Sequence, residues 1–457
     1  MPGKASSRRR VVAVPIQTTG PRRLDSVLTT VALVLVMVGL IAISFFGVKF
    51  AIAAVGVAVY VLLLAVLGTE KTAVLTLMAA FATAPMYKGL APSIDSVVTP
   101  TDLLFVGGFF LLLPTMIGRS VRLPLVYFVG LIVVTITGCI ASAGSVEPLT
   151  SFLGLVLWLM VMGGLPIAFA LWRPGYKVIE LLAWAYVVGQ LANTAWALID
   201  GPYIQGRYAG NSLHPNYFGQ AGMMAIALLL YLFYRHRTRA LRLAVLAAGA
   251  VCLVSVHLSG SRAAMLVVAV LIMMIPVIDR SAISTFIWFL LGALAIAALP
   301  LLIDISGEQS ALARLSGNSN AALSDRAREE GFEMGWERFW DHPLLGNGLI
   351  DLFEIHNNFL EVAVAVGVFG LAGYLLVLFA FARPLFGLGP DRRLCYTVWA
   401  YIGFGATIPS LYDRSIWGPV ALSVIAIVGA NSTSAGDARP AVAARPPDAL
   451  VTSSEGR

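Results

Sequence analysis

Charge is the scarcest property of this sequence. Of 457 residues only 12% are charged, against 59% hydrophobic. A soluble domain carries roughly twice that charged fraction. The shortage excludes a conventional water-facing surface over most of the chain. Cysteine is scarce too, with only Cys139, Cys252 and Cys395. All three lie in apolar runs without paired spacing, so no disulfide framework is implied. They are expected to pack as small hydrophobes. No internal repeat of the kind found in inverted-repeat transporters is visible. The net charge is +7. Its basic residues sit mostly in short loops between apolar runs, where they orient a chain against lipid headgroups. Nucleic-acid binding is therefore not expected.

Apolar runs fill the space that charge leaves. They lie near 27–45, 48–67, 73–84, 102–116, 124–142, 149–171, 177–199, 217–234, 241–258, 263–278, 283–303, 357–383, 393–411 and 416–430. A crossing takes about 20 apolar residues, and the backbone inside lipid must pair with itself, so each run reads as a helix. The expected fold is an all-α polytopic membrane protein with about fourteen transmembrane helices, twelve at the least. The third run is short enough to be re-entrant or tilted. A basic patch, Arg8-Arg9-Arg10 and Arg22-Arg23, precedes the first run, which reads as a span and not as a removed signal peptide. Residues 1–24 and 431–457 lack apolar periodicity and read as disordered cytoplasmic tails. Residues 25–430 read as one transmembrane domain.

Charge sets the orientation. With the N-terminus inside, alternate loops carry Arg119 and Arg122, Arg173 and Lys177, the Arg235–Arg242 group, Arg280, and Arg383, Arg392 and Arg393. That is the excess expected of cytoplasmic loops, and it puts both termini inside.

The polar chemistry then falls on the opposite face. One outer loop, 304–356, is long, and long loops in compact membrane domains are usually functional. It contains no lysine and four arginines, Arg314, Arg326, Arg328 and Arg338. Phe332, Trp336, Phe339 and Trp340 recur at helical spacing, so an amphipathic helix is expected there. Asp325 is expected to cap its start, and His342-Pro343 to end it. Such a helix either packs over the bundle or serves as a lid beside a lipid-linked substrate. The other outer residues are few: Gly206-Arg207, His214-Pro215-Asn216, Ser261-Arg262, Asp325-Arg326, His356-Asn357-Asn358 with Glu361, and Asp413-Arg414. Each has a plain use as well. Arg207 and Arg414 serve as interface anchors, Arg262 snorkels, Arg326 pairs with Glu330, His214 shapes a turn, and Glu361 pairs with an arginine. His356 is the hardest to assign to packing, because an ionisable ring at the mouth of a span is costly unless it is used.

Taken in order, Gly206-Arg207, Pro215-Asn216, Ser261-Arg262, Asp325-Arg326, Pro343-Leu344-Leu345-Gly346-Asn347-Gly348 and His356-Asn357-Asn358-Phe359-Leu360 resemble the O-antigen ligase and O-antigen polymerase superfamily of bacterial envelope glycan enzymes. The resemblance covers roughly residues 200–385. It implies a glycosyltransferase of C-type architecture in the bacterial inner membrane. Its donor is a glycan on polyprenyl (undecaprenyl) diphosphate, and its acceptor a sugar hydroxyl on a glycan or glycolipid. It also implies inversion at the anomeric carbon and no metal. By resemblance His356 is the catalytic base, and Arg207, Arg262 and Arg326 hold the diphosphate. His214, Asn357, Glu361 and Arg414 are candidate supporting residues, of which His214 and Arg414 are not carried over by the family pattern. The chemistry is consistent with this: a diphosphate leaving group needs neutralising, guanidinium groups bind phosphate oxygens two at a time, and the outer face has no acidic cluster of metal-ligand type. No cofactor is expected. Ligase and polymerase remain open alternatives, and so do transport of a lipid-linked or anionic solute and a non-catalytic scaffold.

Overall fold

A computed structural model describes residues 48–429, apart from 92, 94–95, 97, 306–309, 316–318, 351 and 353–354, together with Met37 and Gly39. Both tails and almost all of the first apolar run lie outside the described residues. The chain divides into two compact units, Met1–Thr72 and Ala73–Arg457. The described part of the first unit is α1 (Val48–Leu67). The start of α2 (Thr69–Thr83) carries the boundary.

The second unit is a bundle of α3 (Pro100–Met116), α4 (Leu125–Gly144), α5 (Pro148–Leu159), α6 (Leu165–Trp172), α7 (Tyr176–Asp200), α8 (Pro215–Arg235), α9 (Arg239–Leu258), α10 (Arg262–Asp279) and α11 (Ala282–Ile305). There follow α12 (Ala311–Leu315), α13 (Ser319–Asp341), α14 (Asn358–Ala382), α15 (Tyr396–Gly405) and α16 (Arg414–Leu422). A π-turn at Met160–Gly164 joins α5 to α6 in one span. Seven helices among the described residues are long and apolar enough to cross a membrane. Four shorter apolar helices, 54–67, 100–116, 282–298 and 414–429, account for further runs read from the sequence. The described residues form no strand and are largely helical, and the protein is a multi-pass membrane protein.

Apolar side chains cover much of the outside. Ile117, Leu125, Phe289 and Ile296 are exposed, as lipid-facing residues are. Polar groups are turned inward. Asn193 on α7 donates to Ser212 Oγ at 2.9 Å and accepts from the Asn211 amide at 2.9 Å. The Asn211 carbonyl in turn accepts from the Gly89 amide at 2.9 Å. These bonds hold the 200–214 loop against the turn after α2. At the loops read as cytoplasmic, Arg119 donates to the Trp172 carbonyl at 2.5 Å and Arg235 pairs with Glu180 at 2.8 Å. Arg393 pairs with Asp279 at 2.5 Å.

One sequence expectation about this loop needs correction. Asp325 does not cap a helix start, because α13 begins at Ser319, six residues earlier. Asp325 is instead an ion-pair partner within the first turns. The His342-Pro343 stop does coincide with the end of α13 at Asp341, where proline removes the donor that would continue the ladder. The aromatic face is as expected: Phe332 and Trp336 stack with ring centroids 6.5 Å apart, and Phe332, Trp336 and Trp340 remain exposed.

Candidate functional site

Five helix N-termini are drawn together at one end of the bundle. Thr99 and Asp102 form a reciprocal capping box at α3. His214 caps α8, Ser261 caps α10, Asn357 caps α14 and Asp413 caps α16. Cross-links between these ends fix their neighbourhood. Arg414 pairs with Asp102 at 2.8 Å, Gln220 donates to Ser415 at 2.9 Å, and Arg207 bridges the Ser259 carbonyl and Asn216 Oδ1 at 2.7 Å each. Asn358 is buried and bonded both ways with Ser410, at 2.7 Å in each direction. Helix N-termini carry unpaired amides and partial positive charge, so this end favours an anion.

Arginines concentrate there. Arg207 is buried, and desolvation with Arg314, Arg328 and Arg262 nearby lowers its pKa to about 9. Arg314 is also buried; its Nη1 donates to the Gly260 carbonyl at 3.3 Å while its Nε has no partner. Desolvation and then Arg262 push Arg314 down as well. Arg328 is lowered by desolvation and by Arg262 and Arg314. One carboxylate serves this group. Asp325 forms a two-pronged bond with Arg262 and lies 3.8 Å from Arg328, and these contacts hold its carboxyl below the usual range. Arg262, Arg328 and Arg314 act on this carboxylate and Arg207 lies beside those arginines, so among the described residues the cluster is net positive.

Of the arginines expected from the sequence, the structure brings Arg207 and Arg262 into this cluster. Arg326 is not in it. Its side chain is 79% exposed and pairs with Glu330 at 2.9 Å along the helix. Two residues on, Arg328 turns inward in its place, since two positions on a helix differ by about 200°. Arg314 and Arg328 were present in the long loop, but no sequence signal distinguished them from Arg326 before the register of α13 was known.

His214 sits beside the cluster. Its Nδ1 accepts from the Asn216 amide at 3.2 Å, so the ring proton is on Nε2. The residue keeps an exposed edge, yet desolvation, Arg207, Lys88, His356 and Arg328 push it down to about 4. It is neutral at neutral pH. A free histidine titrates near 6.5. Between those values the unfolded chain holds a proton at His214 that the folded chain lacks, so the contribution of His214 to stability rises with pH from about 4 to about 6.5 and is flat above. The melting temperature of the parent in detergent, less that of His214→Gln, is expected to rise across that range; a difference that does not change with pH would remove His214 as a source of pH dependence.

His356 precedes α14 with φ +57°, a left-handed conformation uncommon for a side chain with Cβ. It lies close enough to His214 to disfavour protonation there. Asn357 is committed to the helix cap, its Oδ1 accepting from Phe359 and Leu360 amides at 3.0 and 3.1 Å. Glu361 departs from expectation. It pairs with no arginine among the described residues; it is 2% exposed and its Oε1 has no hydrogen-bond partner. The first turn of α14 points it into a cavity of about 420 Å³ that no arginine lines. Lys88, Tyr87, Tyr217, Tyr412 and Asp413 share the cavity wall. Lys88 lies over the Tyr217 ring, 3.3 Å from its centroid, and desolvation lowers it to about 8. Sequence reading missed Lys88; the available signal was a lone lysine at the end of an apolar run.

The α14 span is broken. Gly367 has φ +70° and ψ −177°, which frees the carbonyls of Val364 and Ala365. The Gly346-Asn347-Gly348 loop takes them: Asn347 N donates to Val364 O at 2.8 Å and Gly348 N to Ala365 O at 3.0 Å. Broken backbone is tolerated at membrane depth where protein buries it. The Pro343–Gly348 motif thus repairs the helix that presents His356 and Glu361.

Residues 247–375 match the family model described as O-Antigen ligase. Over that stretch, less than a third of its length, the chain is similar to the O-antigen ligase family. The match supports the O-antigen ligase and polymerase superfamily and a multi-pass membrane enzyme of that type. It includes Arg262, Arg314, Arg328, His356 and Glu361; Lys88, Arg207, His214, Asp413 and Arg414 lie outside the matched stretch. No curated protein matches the chain. Among the described residues, no three His, Cys, Asp or Glu side chains are grouped so as to hold a metal ion.

Proposed function

We propose that this protein transfers a glycan from polyprenyl diphosphate to an acceptor sugar hydroxyl on the extracytoplasmic face of the bacterial inner membrane, with both termini cytoplasmic. The observation that carries this reading is the cluster of Arg207, Arg262, Arg314 and Arg328, in which Asp325 pairs with Arg262 and lies near Arg328. A diphosphate brings the charge that this cluster lacks. Arg326 serves from the rim, since an exposed pair such as Arg326–Glu330 is worth under about 1 kcal/mol and is easily exchanged for phosphate.

In the reaction, the acceptor oxygen forms a bond to the anomeric carbon as the bond to the diphosphate breaks. The leaving diphosphate keeps the electron pair, and the arginines hold its growing charge. The hydroxyl proton passes to His356. His214 is unsuited to that role, because its Nδ1 is already occupied by an amide. A single displacement inverts the anomeric centre, and charge neutralisation by guanidinium groups makes the reaction metal-independent.

The broken α14 is the one observation that favours transport, because transporters place sites at interrupted helices. Here the freed carbonyls are already taken by the protein's own loop.

Purified protein supplied with an undecaprenyl-diphosphate-linked glycan, candidate acceptors and a chelator is expected to form product. His356→Ala is expected to lose at least about a hundredfold, the usual worth of a positioned base. Full transfer by a folded His356→Ala protein would remove His356 from the mechanism. Loss of transfer in chelator would remove metal independence. Product length separates ligase from polymerase.

A further inference from the structure

The cavity beside the arginine cluster has features that diphosphate binding does not use. Its volume of about 420 Å³ lies within the range of small-molecule sites, about 300–1,000 Å³. Two buried carboxylates line it. Glu361 Oε1 has no partner. Asp413 is 4% exposed; its Oδ1 caps α16 through Ser415, and its Oδ2 has no partner. Buried acceptors left unmet cost stability, so a native chain keeps them where something else meets the need.

The wall composition narrows what that is. Two carboxylates repel a phosphate, and Lys88 repels a metal cation. A neutral molecule rich in hydroxyl donors satisfies both carboxylates and can accept from Lys88. Tyr87, Tyr217 and Tyr412 add aromatic surface and hydroxyls of the kind that pack against sugar rings.

The cavity also adjoins the donor side. Tyr217 meets the His214 ring edge-on, with centroids 5.5 Å apart. His214 feels Lys88 from the cavity and Arg207, Arg328 and His356 from the cluster. Glu361 lies one helical turn inside the Asn357 cap, its amide donating to the Asn357 carbonyl at 2.8 Å.

We propose that this cavity binds the acceptor sugar, with Glu361 and Asp413 accepting hydrogen bonds from ring hydroxyls and Lys88 donating one. The assignment of the sugar as acceptor rests on the glycosyltransferase reading above; the assignment of a sugar site does not.

The test is saturation-transfer difference NMR on the full chain in nanodiscs, with glucose, galactose and N-acetylglucosamine as probes. The parent protein is expected to transfer saturation to at least one of them. Glu361→Gln and Lys88→Met are each expected to weaken that sugar about ten- to a hundredfold, as for a lost hydrogen bond to a charged group. Glu361→Gln conserves side-chain shape, and thermal melting checks that both variants fold. Arg262→Ala is expected to keep the sugar signal while losing glycan transfer. No signal from any of the three sugars with the parent, or equal signals in both cavity variants, overturns the proposal. Sugar signals that respond to Glu361 and Lys88 in a protein that transfers no glycan would keep the sugar site and sink the glycosyltransferase reading alone.

Discussion

Arg262→Ala is expected to lower glycan transfer about a hundred- to a thousandfold, the loss typical of removing one preorganised donor from a developing oxyanion. The residue is well placed for a clean test. It starts α10, after a cap made by Ser261, so the helix does not depend on its side chain. Its partner Asp325 has a side chain 52% exposed and can be rehydrated when the pair is cut. Folding should therefore survive. Arg262→Lys keeps the charge but loses the planar two-pronged fork, and is expected to recover only part of the rate. Arg328→Ala tests the register of α13 in the same assay. Its inward position predicts a loss comparable to that of Arg262→Ala. The readout is kcat/KM for the lipid-linked donor, beside a melting curve for each variant. Near-parent transfer by folded Arg262→Ala would detach the arginine cluster from the leaving group.

Sequence and structure part company at identifiable places. The apolar runs were legible because lipid demands length and hydrophobicity whatever the packing: the run at 124–142 became Leu125–Gly144, and 217–234 became Pro215–Arg235. His356 stood out because an ionisable group at a span mouth has few uses. What depended on rotation about a helix was not legible. Arg326 and Arg328 differ by two positions, and only the packing of α13 decides which faces inward. Asp325 read as a cap because the polar residues before it, Ser319 and Asn320 among them, look like loop, yet α13 includes them. Lys88 sits among residues 73–100, whose composition announces spans and nothing more. Its meaning comes from Tyr217 and Asp413, which are far away in the chain. Glu361 was noticed but given an arginine partner. A first-turn carboxylate can turn to either side of its helix, and here it faces the cavity.

Gly367→Ala is expected to destabilise the protein by about 2–6 kcal/mol, combining a glycine-only backbone conformation with overpacking. A Cβ at this position would lie 2.1 Å from the Leu344 carbonyl oxygen, a backbone atom that cannot swing aside. A Cβ added to the facing Gly346, at φ +81°, would likewise lie 2.4 Å from the Ala365 backbone, so the two segments already pack backbone to backbone. The sign of the effect is the informative part. In a continuous helix, alanine is favoured over glycine by about 1 kcal/mol, so an unbroken α14 would be stabilised by this change. A broken α14, held open by the Pro343–Gly348 loop, must be destabilised. The consequence reaches the site. The segment from Asn358 to Val366 is a short half-helix tied at its inner end to that loop through Asn347 and Gly348. Releasing it moves the turn that carries His356 and Glu361, so transfer is expected to fall further than the folded fraction does. Thermal melting and transfer rate per folded molecule, measured on the same sample, separate the two effects. A raised melting temperature with unaltered transfer would mean that α14 runs straight through Gly367 and that the loop motif has another purpose.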